Sequence, residues 1–135
     1  MSRDPIPSWY FAMVVVCKED EFLLVQEAKH GQEWYFPAGR VEQGERLVDG
    51  ARREVLEESG VRVRLTGILR IEHSPRAFGT RQRIFFTAEP LDDSPPKQTP
   101  DEHAIQAKWV RLEDLDRYPL RGEEVREAFQ AVAGG

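Results

Sequence analysis

Cysteine is almost missing from this chain: Cys17 is the single one among 135 residues. One thiol excludes an internal disulfide, and within an apolar run it reads as a small buried hydrophobe. Long hydrophobic runs are missing too. The longest, Trp9 to Cys17, has nine residues, far short of a membrane-spanning helix. Asp4, Pro5 and Pro7 break up the N-terminus, which has no signal-peptide layout. The expected location is the cytoplasm. Basic charge is also short, since the net charge is −5. That balance excludes a general nucleic-acid binder and leaves a small molecule as the expected partner. There are no internal repeats.

What is present fits a folded domain. Hydrophobic residues make up 40% and charged residues 32%, ordinary for a globular chain. Residues 1–8 read as a polar, proline-bearing flexible leader, and 9–135 as one domain. The charge is uneven. From Arg62 to Arg83 there are six arginines and one acid, Glu72, a local balance of +5 (6 − 1). A basic strip in an acidic protein suits a small polyanion, although a solvated sheet face would look the same.

Trp9 to Cys17 is aromatic and β-branched and predicts a buried strand. Phe22 to Val25 returns as its partner, and Trp34 to Phe36 is a short strand stopped by Pro37. Arg46 to Ser59 predicts a helix, with Gly60 at its left-handed stop. Val61 to Ile71, Arg81 to Ala88 and Ala104 to Val110 predict further strands. Pro90 to Asp101, with four prolines, reads as a long functional loop. Leu112 to Leu115 reads as a helical turn, and Glu123 to Val132 as a terminal helix turning Val125, Phe129 and Val132 to one side. Mixed helices and strands argue for α+β or α/β.

The chemistry concentrates between Gly39 and Val61. Glu45 is followed, after seven residues, by Arg53-Glu54-Val55-Leu56-Glu57-Glu58-Ser59-Gly60. With Glu54 at zero on a helical wheel, Glu58 falls near ~40° and Glu57 near ~−60°. Leu47, Val48, Ala51 and Val55 occupy roughly 20° to 120° on that wheel, so Glu54 and Glu58 share the arc turned to the core. Carboxylates placed there are desolvated and repel one another, which raises their pKa values. A divalent cation relieves both, and Mg²⁺ takes oxygen ligands only. Arg53 lies one turn before Glu57 and can hold it. A solvated acidic face is the competing reading, because such like-charge pairs cost only ~0.2–0.5 kcal/mol each. The overlap with the apolar arc counts against it.

These residues also resemble a known family. Gly39-x5-Glu45-x7-Arg53-Glu54-Val55-x-Glu57-Glu58-x-Gly60-Val61 is similar to the signature box of the MutT/Nudix hydrolases at every defined position. Pro37-Ala38 before the box, and Trp109-Val110 with Glu113 and Leu115 after it, look like the same layout. The resemblance implies the Nudix fold, an α/β/α sandwich of a mixed β-sheet flanked by helices. It implies hydrolysis of a nucleoside diphosphate linked to another group, with Mg²⁺ or Mn²⁺. On this chain Glu54, Glu57, Glu58 and the Ala38 carbonyl would hold metal, with Arg53 orienting the glutamates and Gly39 and Glu45 supporting them. One departure is Arg46, where the family often has a capping Ser or Thr. The family also implies a homodimer as a candidate state.

Hydrolysis of a pyrophosphate bridge needs a general base. Glu57, Glu58 and the loop acid Glu102 are the candidates. His73 and His103 read as structural or exposed. Arg83 is placed to reach phosphate. Trp34 and Phe36 are placed to flank a flat ring, with core packing as their other reading. The substrate is expected to be a nucleoside di- or triphosphate or a related metabolite, an oxidised nucleotide among them. Features such as Thr99-Pro100-Asp101 resemble equally the relatives acting on thiamin-precursor pyrophosphates. A ligand-sensing Nudix domain without turnover is the further alternative, and retention of every box acid argues against it.

Overall fold

A computed structural model describes residues 3–135. It contains seven strands: β1 (Ser8–Lys18), β2 (Glu21–Gln26), β3 (Trp34–Tyr35), β4 (Ala38–Arg40), β5 (Val63–Arg76), β6 (Gly79–Pro90) and β7 (Gln106–Arg111). Two α-helices, α1 (Leu47–Ser59) and α2 (Glu124–Gly134), and two 3-10 turns, at His30–Gln32 and Leu112–Arg117, complete the described residues. The sheet runs β3-β2-β1-β6-β5, with β4 added to β1 and β7 to β2. β1 and β6 are parallel over nine residue pairs, and the other pairings are antiparallel. The sheet is therefore mixed, as the resemblance implied.

The apolar run of β1 explains its central place. Side chains alternate between the two faces of a strand, and here both faces are buried. Ala12, Val14 and Val16 pack with Ala51 and Val55 of α1. Met13 and Val15 pack with Val125, Ala128 and Phe129 of α2. One helix on each face gives the sandwich. Phe129 is fully buried and stacks on Phe22 at 4.4 Å between ring centroids. A buried side chain of that size contributes about 1.5–3 kcal/mol.

α1 ends where expected. Gly60 takes φ +75°, and its N–H donates to the Leu56 carbonyl, a turn in which a Cβ is strained. At its other end the Arg46 side chain makes no capping hydrogen bond, as the missing Ser or Thr foretold. β5 and β6 are longer than expected and form a twelve-position ladder broken by two register shifts. β4 was not foreseen at all. Met1 and Ser2 of the expected leader lie outside the described residues. Pro7 is anchored, because its carbonyl accepts the Thr80 N–H at 2.9 Å.

Candidate active site

Strand β4 and helix α1 build the site together. β4 hydrogen-bonds along β1, and the chain then turns through Val41–Arg46 into the helix. That path lays the β4 backbone across the helix's acidic side. Gly39 fits there only because it lacks a side chain: a Cβ would sit 2.1 Å from the Glu54 carboxyl carbon. Gly50 is comparable, since its Cβ would meet a Glu45 oxygen at 2.9 Å and Val41 at 3.2 Å. Close packing thus accounts for a glycine inside a helix.

Arg53 binds the acids into one unit. Its Nε donates to Glu45 at 2.8 Å, and its Nη1 to Glu54 at 2.9 Å and Glu57 at 2.8 Å. Its Nη2 reaches Glu45 at 3.0 Å and the Arg40 carbonyl at 3.1 Å. The Arg53 contacts and the Glu42 N–H hold the Glu45 carboxyl down at about 2. Glu58 behaves in the opposite way. Burial pushes its carboxyl well above the ordinary carboxylate range, against the pull of the Ala38 N–H at 3.1 Å. The nearby Glu54 and Glu27 carboxylates push it further up. Burial raises Glu54 as well, with Arg53 pulling it back. Glu54 and Glu58 share a hydrogen bond, so two crowded, partly buried carboxyls face each other.

The loop between β6 and β7 closes the far end. The Lys97 backbone N–H donates to the Ser59 carbonyl at 2.7 Å, and its carbonyl accepts from Ala107 at 2.9 Å. Lys97 Nζ reaches the Glu57 carbonyl at 2.5 Å and Asp101 at 2.6 Å. It neutralises the helix C-terminus, which carries no basic residue of its own. His103 Nε2 lies 4.0 Å from Glu57 and 3.5 Å from Glu102. Glu102 itself is 85% exposed, so it stands at the margin of the cluster.

Arg83 belongs to a second network. Its guanidinium donates to Glu72 at 2.9 Å, Glu124 at 2.6 Å and the Tyr35 hydroxyl at 3.1 Å. Tyr35 also donates to Glu124. Burial and the Glu124 carboxylate raise the Tyr35 hydroxyl, whereas Glu124 is brought down by Tyr35 and Arg83 against its own burial. This network borders a cavity of about 280 Å³ that opens onto Ala38 and Gly39, directly behind Glu54. A larger cavity, about 570 Å³, lies beside residues 40–47. Among the four box glutamates it touches Glu45 alone, whose carboxylate Arg53 already occupies; the smaller cavity touches none of the four and meets the site only through Ala38 and Gly39.

The two aromatic assignments are corrected. Phe36 is 1% exposed and packs edge-on to Phe85. Trp34 is 5% exposed, with Tyr118 against its ring and Lys108 over it. Rings so enclosed offer no face to a ligand, and the core-packing reading holds for both. Sequence reasoning missed Glu27, Lys97 and Tyr35. Glu27 and Lys97 lie outside the box in separate segments, and Tyr35, three residues before Ala38, sits in an aromatic strand that carries no polar spacing to mark it.

The site is thus a face of carboxylates on one helix, crossed by a close-packed glycine, with an arginine-lined cavity beside Gly39. The chain matches the NUDIX domain over residues 9–131 and belongs to that family. It is 32% identical over 123 residues to the human 8-oxo-dGDP phosphatase NUDT18, covering 89% of this chain and 37% of the relative. Phosphatase NudJ of Escherichia coli is also 32% identical over 123 residues, covering 90% and 80%. Nudix hydrolase 6 of Arabidopsis thaliana is 32% identical over 127 residues, covering 90% and 44%. The chain thus spans well under half the length of several curated relatives. A NUDIX hydrolase from Nitrosomonas europaea superposes with a TM-score of 0.78 at 24% identity, over 96% of this chain and 90% of that one, a likeness of fold.

Proposed function

We propose that this protein is a divalent-cation-dependent pyrophosphohydrolase acting on a nucleoside di- or triphosphate or a related nucleoside-diphosphate-linked metabolite. Residues 9–135 form the working domain. The observation that carries the reading is the shared, partly buried position of Glu54 and Glu58 beside Gly39. Two crowded, partly buried carboxyls set against each other are poor packing, and the arrangement becomes intelligible as a cation site.

The donor chemistry fits Mg²⁺ or Mn²⁺: hard carboxylate oxygens from Glu54, Glu57 and Glu58, with the Ala38 carbonyl as a further ligand. Among the described residues no group of three such side chains is gathered into a finished cage. The reason is visible. Arg53 draws Glu57 aside while Glu58 is tied to Ala38 and Glu54. A bound cation supplies charge neutralisation at the phosphate oxygens and lowers the pKa of water.

The chain's own residues do the rest. Arg53 fixes the angles of Glu45, Glu54 and Glu57. Arg83, held by two carboxylates and a hydroxyl, presents positive charge beside the bridge. Water attacks phosphorus, the anhydride oxygen leaves with the departing phosphate, and a cluster carboxylate takes the water's proton. Glu58 is our choice, with Glu57 and then Glu102 behind it. The 8-oxo-dGDP phosphatase among the relatives makes oxidised nucleoside diphosphates the first substrates to try, and thiamin-precursor pyrophosphates the second.

The test is phosphate and pyrophosphate release from a panel of nucleoside di- and triphosphates, nucleotide sugars, dinucleoside polyphosphates and thiamin pyrophosphate with Mg²⁺. Glu58→Gln should fold normally and lose more than about a hundredfold in turnover. Silence of the wild type across the panel sinks the enzyme and favours a ligand-sensing domain.

A further inference from the structure

β5 is the last strand of the sheet, and among the described residues it pairs with β6 alone. Every second residue therefore turns its N–H and C=O toward solvent. Such an edge is a template for another strand, and monomeric proteins blunt it with lysine, proline, bulges or shortness. β5 runs for 14 residues, has no lysine, and holds its one proline, Pro75, next to its end. Its two bulges, at Thr66 and Leu69, both precede Arg70 and leave the stretch from Arg70 to Ser74 regular.

The two faces of this edge differ. Directly opposed residues of an antiparallel pair share a face. Ile68 lies opposite Phe86 and Ile71 opposite Ile84, so both point to the α1 side, where Phe86 and Ile84 belong to the core. α1 does not cover them, and each is 59% exposed. Arg70 lies opposite Phe85 and Glu72 opposite Arg83, on the α2 side. The Arg70 guanidinium stands over the Phe85 ring at 4.4 Å. Its Nε is buried, and at 3.1 Å from Glu72 it still makes no hydrogen bond.

A second copy of the chain answers both faces. Two copies meeting antiparallel, edge to edge, are related by a two-fold axis normal to the sheet. Neighbours along a strand point to opposite faces, so one residue has to stand opposite its own copy. With Ile71 on the axis, Arg70 faces the partner's Glu72, and Glu72 faces the partner's Arg70. Moving the axis to Arg70 or to Glu72 sets like charges directly opposite, which is destabilising. The bulge at Leu69 then brings Ile68 opposite the partner's His73, as it brings Ile68 opposite Phe86 within the chain. Ile68 and Ile71 of both copies form one apolar strip. The ladder ends at Ser74, because Pro75 has no N–H to donate. We infer that β5 is a self-association edge: two copies pair antiparallel through residues 67–74, with Ile71 opposite its own copy, and join their sheets. The pairing holds whether or not the chain turns over a substrate. It brings the partner's Arg70 to Glu72, which also holds Arg83, so the interface borders the Arg83 network.

Sedimentation velocity of the full chain tests it. At about 100 μM, where even a small interface is populated, the wild type should sediment as a dimer. Ile71→Glu and Ile71→Lys should each sediment as a monomer, because each sets a charge against its own copy. Mixed in equal amounts, the two variants should recover the dimer. A monomeric wild type overturns the inference, as does a dimer that survives in either variant alone, or a mixture that stays monomeric. Should either variant fail to fold, Ile71→Cys in a Cys17→Ser background takes its place. Facing Cα atoms lie about 4.5–5.5 Å apart, a separation that a disulfide spans, so mild oxidation should link the two copies. Ile68→Cys in the same background should not link them, since Ile68 faces His73. No link through Ile71→Cys, or an equal one through Ile68→Cys, overturns the inference.

Discussion

Gly39→Ala separates the site from the fold more cleanly than any change to an acid. The added methyl carbon would lie 2.3 and 2.4 Å from the two Glu54 oxygens, whereas ordinary contact begins near 3.4 Å. The carboxylate must therefore withdraw by roughly 1 Å (3.4 − 2.3), a displacement that costs about a hundredfold in rate at a preorganised site. That is about 2.7 kcal/mol of transition-state stabilisation. The backbone needs no such movement, because Gly39 is not among the residues with positive φ. The obstacle is the far end of a flexible side chain, and alanine itself contributes about 0.4–1 kcal/mol by restricting the unfolded chain. The weakened Arg53–Glu54 contact offsets that gain, so stability should stay within about 1 kcal/mol of wild type. The assay pairs kcat/KM on the best substrate with Mn²⁺ affinity by electron paramagnetic resonance and with urea denaturation. Activity within about threefold of wild type would refute the close-approach argument. Unfolding of the variant would assign Gly39 to packing alone.

Three further outcomes follow from the same geometry. Lys97→Met removes the cation that joins the Glu57 carbonyl to Asp101 and should cost about 1–3 kcal/mol in urea; a loss below about 0.5 kcal/mol contradicts its role as the staple of α1. Glu102→Gln should lower turnover less than about tenfold, and a loss equal to that of Glu58→Gln would make Glu102 the base. The pH dependence has a definite sign. Glu58 has its pKa raised in the folded chain, so its contribution is fully present below the unfolded carboxylate range and is lost as pH rises through the raised value. A cation competes with that proton, so the rise in Tm on adding Mg²⁺ should be larger near about pH 8.5 than near about pH 6. A flat or falling difference would mean that the acids do not hold the ion.

Much of the fold was readable where cause is local. The nine-residue apolar run became the central strand because an uninterrupted run has to be buried on both faces. α1 was bounded to within one residue by its wheel and by Gly60. The long antiparallel pair of β5 and β6 was underestimated, because Ser74 and Pro75 at the end of β5 look like turn residues until β6 stands opposite them. β4 carries no strand signal in Ala38-Gly39-Arg40. It is extended because Phe11, Ala12 and Met13 offer it an edge, and only the tertiary register reveals that.

The site divides in the same way, for a physical reason. Glu54, Glu57 and Glu58 were legible because one helix presents them at fixed angles, and spacing within a helix is geometry. Arg81, Tyr35, Glu124, Glu27 and Lys97 were not, since their meeting depends on how five separate segments pair. The same distinction bears on function. The residues legible from spacing are those the proposed chemistry needs, and a single rigid element can present them. Those legible only from the folded sheet come from separate strands, loops and α2, and meet only once the sheet has formed. Arg83 shows the boundary. It was readable as a phosphate-facing cation from its strand, yet its partners, Glu72 and Glu124, turned out to hold it in place. Arg81, two residues earlier on the same face, has by contrast a buried Nε with no hydrogen-bond partner among the described residues, as does Arg70, whose Nε still has the Glu72 carboxylate at 3.1 Å.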